Sequence, residues 1–372
     1  MRALIFLSII GLLNYYVSAR LFSYAPIQKT SFLIPIIGAA VLFGLEMLDL
    51  RTTFLQNQPS LKLALSAISG AFFCLIFYVF IADVILLVTR AFPVQFPYEK
   101  TNTVLFYTIL GVTLVTVVIG VIQARMGPSL KQVTVAIKNL PPAFEGYKIL
   151  QISDLHIGGT IRGDYVRNVV NLSNLADADL VAFTGDFADG KVSELQEDSK
   201  LLTGIKSKDG TYFITGNHEY YHDFDQWLPF YKSLGFRVLR NSHEVITKGT
   251  DRLVIAGVND LQTRGMGPPE EIDVAKAAEG MPQDAVKILL MHQPTLYKDA
   301  AEAGFDLQLS GHTHGGQFFP WTLVVPYFHH FFKGLGSYEN LQVYVSVGTG
   351  YWGPALRTFV PTEITILTLK KA

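Results

Sequence analysis

The sequence predicts a layered α/β domain of about 245 residues preceded by about four membrane-spanning helices. Only 16% of its residues are charged, against about 25% in an ordinary soluble chain. The shortfall is local, since residues 1–125 hold 8 of the 30 Lys and Arg and 4 of the 31 Asp and Glu. Beyond residue 125, β-rich runs alternate with amphipathic helical patterns, and five of the runs lead directly into Asp, Asn or His.

Four apolar runs make up the first third: 3–18, 32–48, 63–89 and 104–124. Crossing a hydrocarbon core about 30 Å thick takes about 20 apolar residues as helix. The last two runs reach that length, and 104–124 carries no charge. Arg20, Arg51 and Arg90 stand just beyond the first three runs, as interfacial anchors do. With Arg2 ahead of it, 3–18 also admits a signal-peptide reading, but no Ala-x-Ala site follows and three further runs do.

An even number of spans leaves both ends on one side. The inner flanks then carry Arg2, Arg51, Lys62, Arg125, Lys131 and Lys138, and the outer flanks Arg20, Lys29, Arg90 and Lys100. That excess places the domain of a multi-pass membrane protein on the cytoplasmic face, with periplasmic or extracellular display as the alternative. Asp83, inside the third run, is either an intramembrane polar site or a carboxylate paired within the bundle. Cys74, the single cysteine, has no intrachain disulfide partner and identifies no compartment.

Residues 126–146 read as a polar linker with Gly127 and Pro128 followed by a first strand, and 147–372 as the main domain. Strand patterns fall at 133–137, 147–152, 180–184, 212–215, 253–257, 287–291, 306–309, 342–347 and 363–369. Helical patterns fall at 164–175, 192–205, 225–234, 269–279 and 294–303. Several strands are continuously apolar, as central strands covered on both faces are. This part carries 27 acidic and 22 basic residues with no basic run. The footprint of a nucleic-acid binder is therefore absent.

The chemistry lies just past the strands. Ile149–Ser153 leads to Asp154-Leu155-His156, Val181–Thr184 to Gly185-Asp186, and Tyr212–Thr215 to Gly216-Asn217-His218-Glu219. Ile288–Met291 leads to His292, and Leu307–Ser310 to Gly311-His312-Thr313-His314. Ligands bind beyond the carboxyl ends of strands in open α/β sheets. Asp, Asn and imidazole together suit borderline divalent ions such as Mn, Fe, Zn or Co. Seven such residues are too many for one tetrahedral ion and suit two ions sharing a carboxylate. Singly, Asp154 would cap a turn, Asn217 would be a turn residue, and His156 or His292 an ordinary core or surface residue. The whole set has no such explanation.

These motifs, in this order, resemble the calcineurin-like metallophosphoesterases over Tyr147–His314. The Gly311–Gln317 run and the ending Gly348-Thr349-Gly350, Pro354, Arg357, Pro361–Ile364 resemble the bacterial branch with membrane-tethered phosphodiesterases. The membrane segment resembles the transmembrane subgroup, one type of which cleaves the pyrophosphate of UDP-2,3-diacylglucosamine. The resemblance implies a four-layer α/β/β/α sandwich and a dinuclear hydrolase of phosphodiester or pyrophosphate bonds. Asp154, His156 and His314 would hold one divalent ion, Asn217, His292 and His312 the other, and Asp186 would bridge them. His218 would be no ligand but would donate to the leaving oxygen. Asp189 would orient its loop, and Glu219 would support the Asn217 loop.

The protein phosphatases of this superfamily carry Arg-Gly after the second-motif Asp, whereas Gly190-Lys191 follows Asp189. A phosphoprotein substrate is therefore disfavoured. From Phe318 to Lys333 the chain is strongly aromatic. Trp321 and Phe328 there would form an apolar lip at the bilayer, admitting a lipid-linked phosphoester, or would pack as a loop closing the sheet. Asp260 is either a rim residue of the site or part of a turn. The expected partners are a phosphoester substrate and the membrane. Rival readings are a generalist membrane-anchored phosphodiesterase or phosphatase and a non-catalytic binding module on the same scaffold.

Overall fold

The computed structural model describes residues 2–26, 37, 38, 40, 41, 44, 58–90, 97–267 and 270–372. They fall into two compact units. One is Met1–Ile122 with Gly353–Thr358, and the other is Gln123–Trp352 with Phe359–Ala372.

The first unit is helical, with α1 (Arg2–Tyr24), α2 (Pro59–Arg90) and the greater part of α3 (Tyr98–Met126). Among the described residues, two stretches are long and apolar enough to cross a membrane, Ser60–Thr89 and Glu99–Met126. That corrects the expectation of about four spans. The run 3–18 belongs to α1, where Asn14 and Arg20 interrupt the apolar sequence. The run 32–48 lies for the most part outside the described residues.

Asp83 on α2 is paired, matching the second of its two readings. Arg20 forms an ion pair with it, Tyr24 hydrogen-bonds to it, and the Tyr16 hydroxyl donates to it at 2.7 Å. An isolated carboxylate in apolar surroundings is costly, and a facing guanidinium offsets that cost. Gly353–Thr358 packs among these helices because two helix glycines leave room for it. A Cβ on Gly70 would fall 2.1 Å from Leu356 Cδ1, and one on Gly120 would fall 2.8 Å from Thr358 Oγ1. Ser66 Oγ accepts the Ala355 N–H at 2.5 Å. Small residues on membrane helices mark such close approaches.

The second unit holds two six-stranded sheets. Its strands are β1 (Ser129–Ile137), β2 (Lys148–Ile152), β3 (Leu180–Thr184), β4 (Thr211–Ile214), β5 (Arg237–Val238), β6 (Ser242–Lys248), β7 (Asp251–Gly257), β8 (Val286–Leu290), β9 (Leu307–Ser310), β10 (Gly334–Tyr338), β11 (Leu341–Val345) and β12 (Glu363–Lys371). One sheet runs β1-β12-β2-β3-β4-β5 and the other β10-β11-β9-β8-β7-β6. β2, β3 and β4 are parallel, and so are β7, β8, β9 and β11.

Inward side chains of both sheets, including Ile149, Ala182, Ile214, Ile255, Ile288, Leu309 and Leu367, form one buried core. The outward face of the second sheet packs Val254, Ala256 and Leu289 against Val274 and Ala277 of α8 (Val274–Ala278) and Ala300 of α9 (Tyr297–Glu302). On the first sheet, Phe183 and Phe213 meet Phe187 and the buried Tyr231, which with Trp227 lies on α7 (Phe224–Ser233). α4 (Gly163–Asn174) and α5 (Val192–Lys200) bury Val166, Val169 and Leu195. The result is a mixed α/β arrangement of helix, sheet, sheet and helix. β5, β6 and β10 escaped the sequence reading. β5 has two residues, and β6 and β10 are half-exposed edge strands without a continuous apolar run.

Candidate metal centre

Parallel pairing delivers the carboxyl ends of β2, β3, β4, β8 and β9 to one place. Two glycines let the loops there meet. A Cβ on Gly185, at φ +90°, would lie 2.5 Å from Gly216 N and 2.8 Å from His292 Nδ1. One on Gly311 would lie 2.0 Å from Ser153 Oγ and 2.1 Å from Asp154 Oδ2. Residues between these turns take up the remaining strain. Asp154 (φ 53°), His156 (51°), Asp186 (56°), His312 (70°) and His314 (49°) all have left-handed backbone conformations. Non-glycine residues rarely adopt them, and such strain gathers at functional sites.

All seven residues expected as ligands come together, and all but the partly exposed His312 are buried. Donor atoms of Asp154, His156 and His314 lie within 4.8 Å of one another, and so do those of Asp186, His292 and His312. His156 Nε2 faces His314 Nε2 at 3.2 Å, and His314 Nε2 is 3.4 Å from Asp154 Oδ1. His292 Nε2 lies 3.2 Å from both Asp186 Oδ2 and Asn217 Oδ1, and Asn217 Oδ1 is 2.9 Å from His312 Nδ1. Asp186 stands between the groups, with its Oδ2 also 3.9 Å from His156 Nε2. Imidazole nitrogens turned toward each other and toward carboxylates, away from water, fit the donor set of two divalent ions.

Surrounding bonds hold each donor in place, as outer partners of metal ligands do. His292 Nδ1–H donates to Thr184 O at 2.7 Å, which turns Nε2 inward. The His312 N–H donates to Asp154 Oδ1 at 2.9 Å, and Ser153 Oγ donates to Asp154 Oδ2 at 2.5 Å. Thr349 N–H and Gly350 N–H donate to the carbonyls of Ser153 and Asp154, tying the C-terminal motif to the β2 loop. Glu219 is wholly buried on α6 (Asn217–Tyr221), and its carboxylate accepts the backbone N–H groups of Asp186, Phe187 and Gly216. One side chain thus joins the β3 and β4 loops.

Asp189 does more than orient its loop. Its Oδ1 accepts from His218 Nδ1 at 2.7 Å and from His156 Nδ1 at 3.0 Å. Burial opposes protonation of His218, but the Asp189 charge and hydrogen bond outweigh it and push the imidazole up to about 9. Burial and the neighbouring His292 bring His312 down to about 3, which leaves its ring free to coordinate. Burial, with Asp186 nearby, raises Asp154. Asp186 itself is lowered, because His292, His218 and His156 outweigh the effect of burial.

The remaining expected residues lie differently. Asp260 is buried, not at a rim, and accepts the Gln262 N–H at 2.7 Å and Gln293 Nε2 at 3.0 Å. Trp321 and Phe328 are exposed, at 40% and 78%. Trp321 opens α10 (Trp321–Val324), which buries none of its residues. Missed from the sequence was Trp352, whose ring lies 6.0 Å from that of His218. Its only sequence signal was its place two residues after the Gly348-Thr349-Gly350 motif.

The two-sheet fold and this cluster define a protein built to hold metal ions at strand ends. A calcineurin-like phosphoesterase domain is matched over residues 147–316. A protein named transmembrane protein with metallophosphoesterase domain is 36% identical in Danio rerio over 71% of this chain and 62% of that protein. One of the same name in Bos taurus is 35% identical over 74% and 65%. The chain thus spans less than two thirds of the length of these two vertebrate relatives. An uncharacterized metallophosphoesterase of Campylobacter jejuni is 32% identical over 98% of this chain and 97% of its own length. The chain belongs to the calcineurin-like metallophosphoesterase family.

Proposed function

We propose that the chain hydrolyses a phosphodiester or pyrophosphate bond of a membrane-associated substrate, with two divalent ions of the Mn, Fe, Zn or Co class as cofactors. The observation that carries this reading is the convergence of seven donors, six of them buried and five on left-handed backbone. Asp154, His156 and His314 would hold one ion, Asn217, His292 and His312 the other, with Asp186 shared. When bound, the ions supply Lewis-acid charge to the phosphoryl oxygens and lower the pKa of a water. His218, held by Asp189, carries its proton on the ring nitrogen opposite that bond, Nε2, and gives it to the leaving oxygen as the P–O bond breaks. Asp189 keeps His218 and His156 in their working tautomers. Glu219 and Gly185 keep the two loops at contact distance.

The two apolar helices support a membrane location. The flanking charges favour the cytoplasmic face. Exposed Trp321 and Phe328 support an apolar lip at the bilayer, and UDP-2,3-diacylglucosamine is the lipid-linked example we favour. The test uses the full chain in detergent, with metal content and hydrolysis of that lipid and of a small chromogenic diester measured together. About two metals per chain with preference for the lipid is expected. Equal turnover of the small diester would make the anchor merely localising, and metal without hydrolysis of either would leave a binding module. Loss of lipid preference on Trp321→Ala with Phe328→Ala is expected, and an unchanged preference would remove the lip. Labelling of a Lys138→Cys variant by an impermeant maleimide in intact cells would reverse the assigned face.

A further inference from the structure

His218 is flanked by two large, half-exposed aromatic rings that the chemistry above does not use. Trp352 is 50% and Tyr221 56% exposed, and their ring centroids lie 6.0 and 5.3 Å from that of His218. Trp352 is held at its backbone and Tyr221 at its hydroxyl. Gln317, three residues past His314, donates from Nε2 to Trp352 O at 2.9 Å and accepts the Trp352 N–H on Oε1 at 3.2 Å. Both hydrogen-bonding groups of the Trp352 backbone are thereby fixed to the loop that carries a proposed ligand. Tyr221 lies on α6 with His218, and its hydroxyl reaches Gln262 Oε1 at 3.4 Å. Among the described residues, the pair meets the His218 ring, the Gln262 amide at the Tyr221 hydroxyl and the Gln317 amide at the Trp352 backbone.

We propose that Trp352 and Tyr221 are specificity-determining residues that stack a nucleobase on the leaving-group side, so that the chain selects nucleotide-bearing pyrophosphates or diesters. The inference rests on the function proposed above, because His218 marks the leaving-group side only if it protonates the leaving oxygen. Exposed aromatic faces take a base by stacking whatever its sequence identity.

The test uses the full chain in detergent micelles with manganese. It compares kcat/KM for uridine diphosphate glucose with that for P1,P2-dimethyl pyrophosphate, whose leaving phosphates are of the same kind. Trp352→Ala should lower the ratio of the two about tenfold, mainly through KM, and Trp352→Phe should restore most of it. Tyr221→Ala, at an exposed ring, should move the ratio in the same direction. Equal loss on both substrates, or no change on either, would overturn the proposal. So would a ratio that moves only when the methyl groups are replaced by long alkyl chains, which would assign the wall to a lipid tail. A wild-type chain with bound metal that cleaves neither substrate would overturn the parent reading, and this one with it.

Discussion

Asp83 in the helical unit, partly exposed, and Asp186 in the α/β unit, buried, are both paired acidic groups, balanced in opposite ways. Asp83 faces the guanidinium of Arg20, a permanent cation, with the hydroxyls of Tyr16 and Tyr24 completing its shell. Asp186 faces imidazoles: His292 at 3.2 Å, His156 at 3.9 Å and His218 at 4.0 Å. A guanidinium keeps its charge at any physiological pH and coordinates nothing. An imidazole can give up its proton and coordinate a metal. The first carboxylate is closed off as a structural pair, and the second remains available to an ion.

The contrast can be broken most severely at Asp186. Asp186→Asn removes the charge proposed to be shared, and we expect metal content to fall and kcat/KM to drop by about three orders of magnitude or more. Retained metal with retained turnover would show that the carboxylate is not shared. His218→Ala should keep the metal and lower kcat by about 10²–10⁴-fold, read by steady-state kinetics beside elemental analysis. Asp189→Asn leaves both rings in place but weakens their orientation, so a loss of about 10–100-fold in metal affinity or activity is expected. A loss confined to His218, with metal affinity intact, would show that the bond to His156 carries no weight. The smallest effect should be in the helical unit. Arg20→Gln leaves Asp83 uncompensated, but the two side chains are 36% and 23% exposed. A destabilisation of about 1 kcal/mol is therefore expected in a detergent melt. Replacing both with Leu should recover it.

The same two regions differ in how far they could be read in advance. The site motifs were legible because each ligand follows a buried strand whose apolar run is local in sequence, as at Val181–Thr184 before Asp186. The helical unit was less so. Apolar runs 63–89 and 104–124 fall within α2 and α3, but apolarity alone also suggested a span at 3–18, where the helix carries Arg20 for Asp83. Asp260, open to a rim or a turn reading because it follows a strand, caps the short turn at Leu261–Thr263, and Gln293 covers it from another loop. Gly353–Thr358 reads as part of the C-terminal motif, yet it packs with helices more than two hundred residues earlier, because Gly70 and Gly120 lack side chains.

By itself the sequence determined residue chemistry and period. It determined which strands are buried, which residues follow them, and that these residues suit divalent metals, since side-chain type and apolar spacing are written locally, while the phosphoryl chemistry came from the resemblance its motifs carry. Only the tertiary structure decided which groups meet. Asp189 serves both His156 and His218, Gln317 holds Trp352 beside His218, and five donors adopt left-handed backbone. Those distances are set by strand pairing and sheet packing between residues far apart in the chain, and no local pattern encodes them.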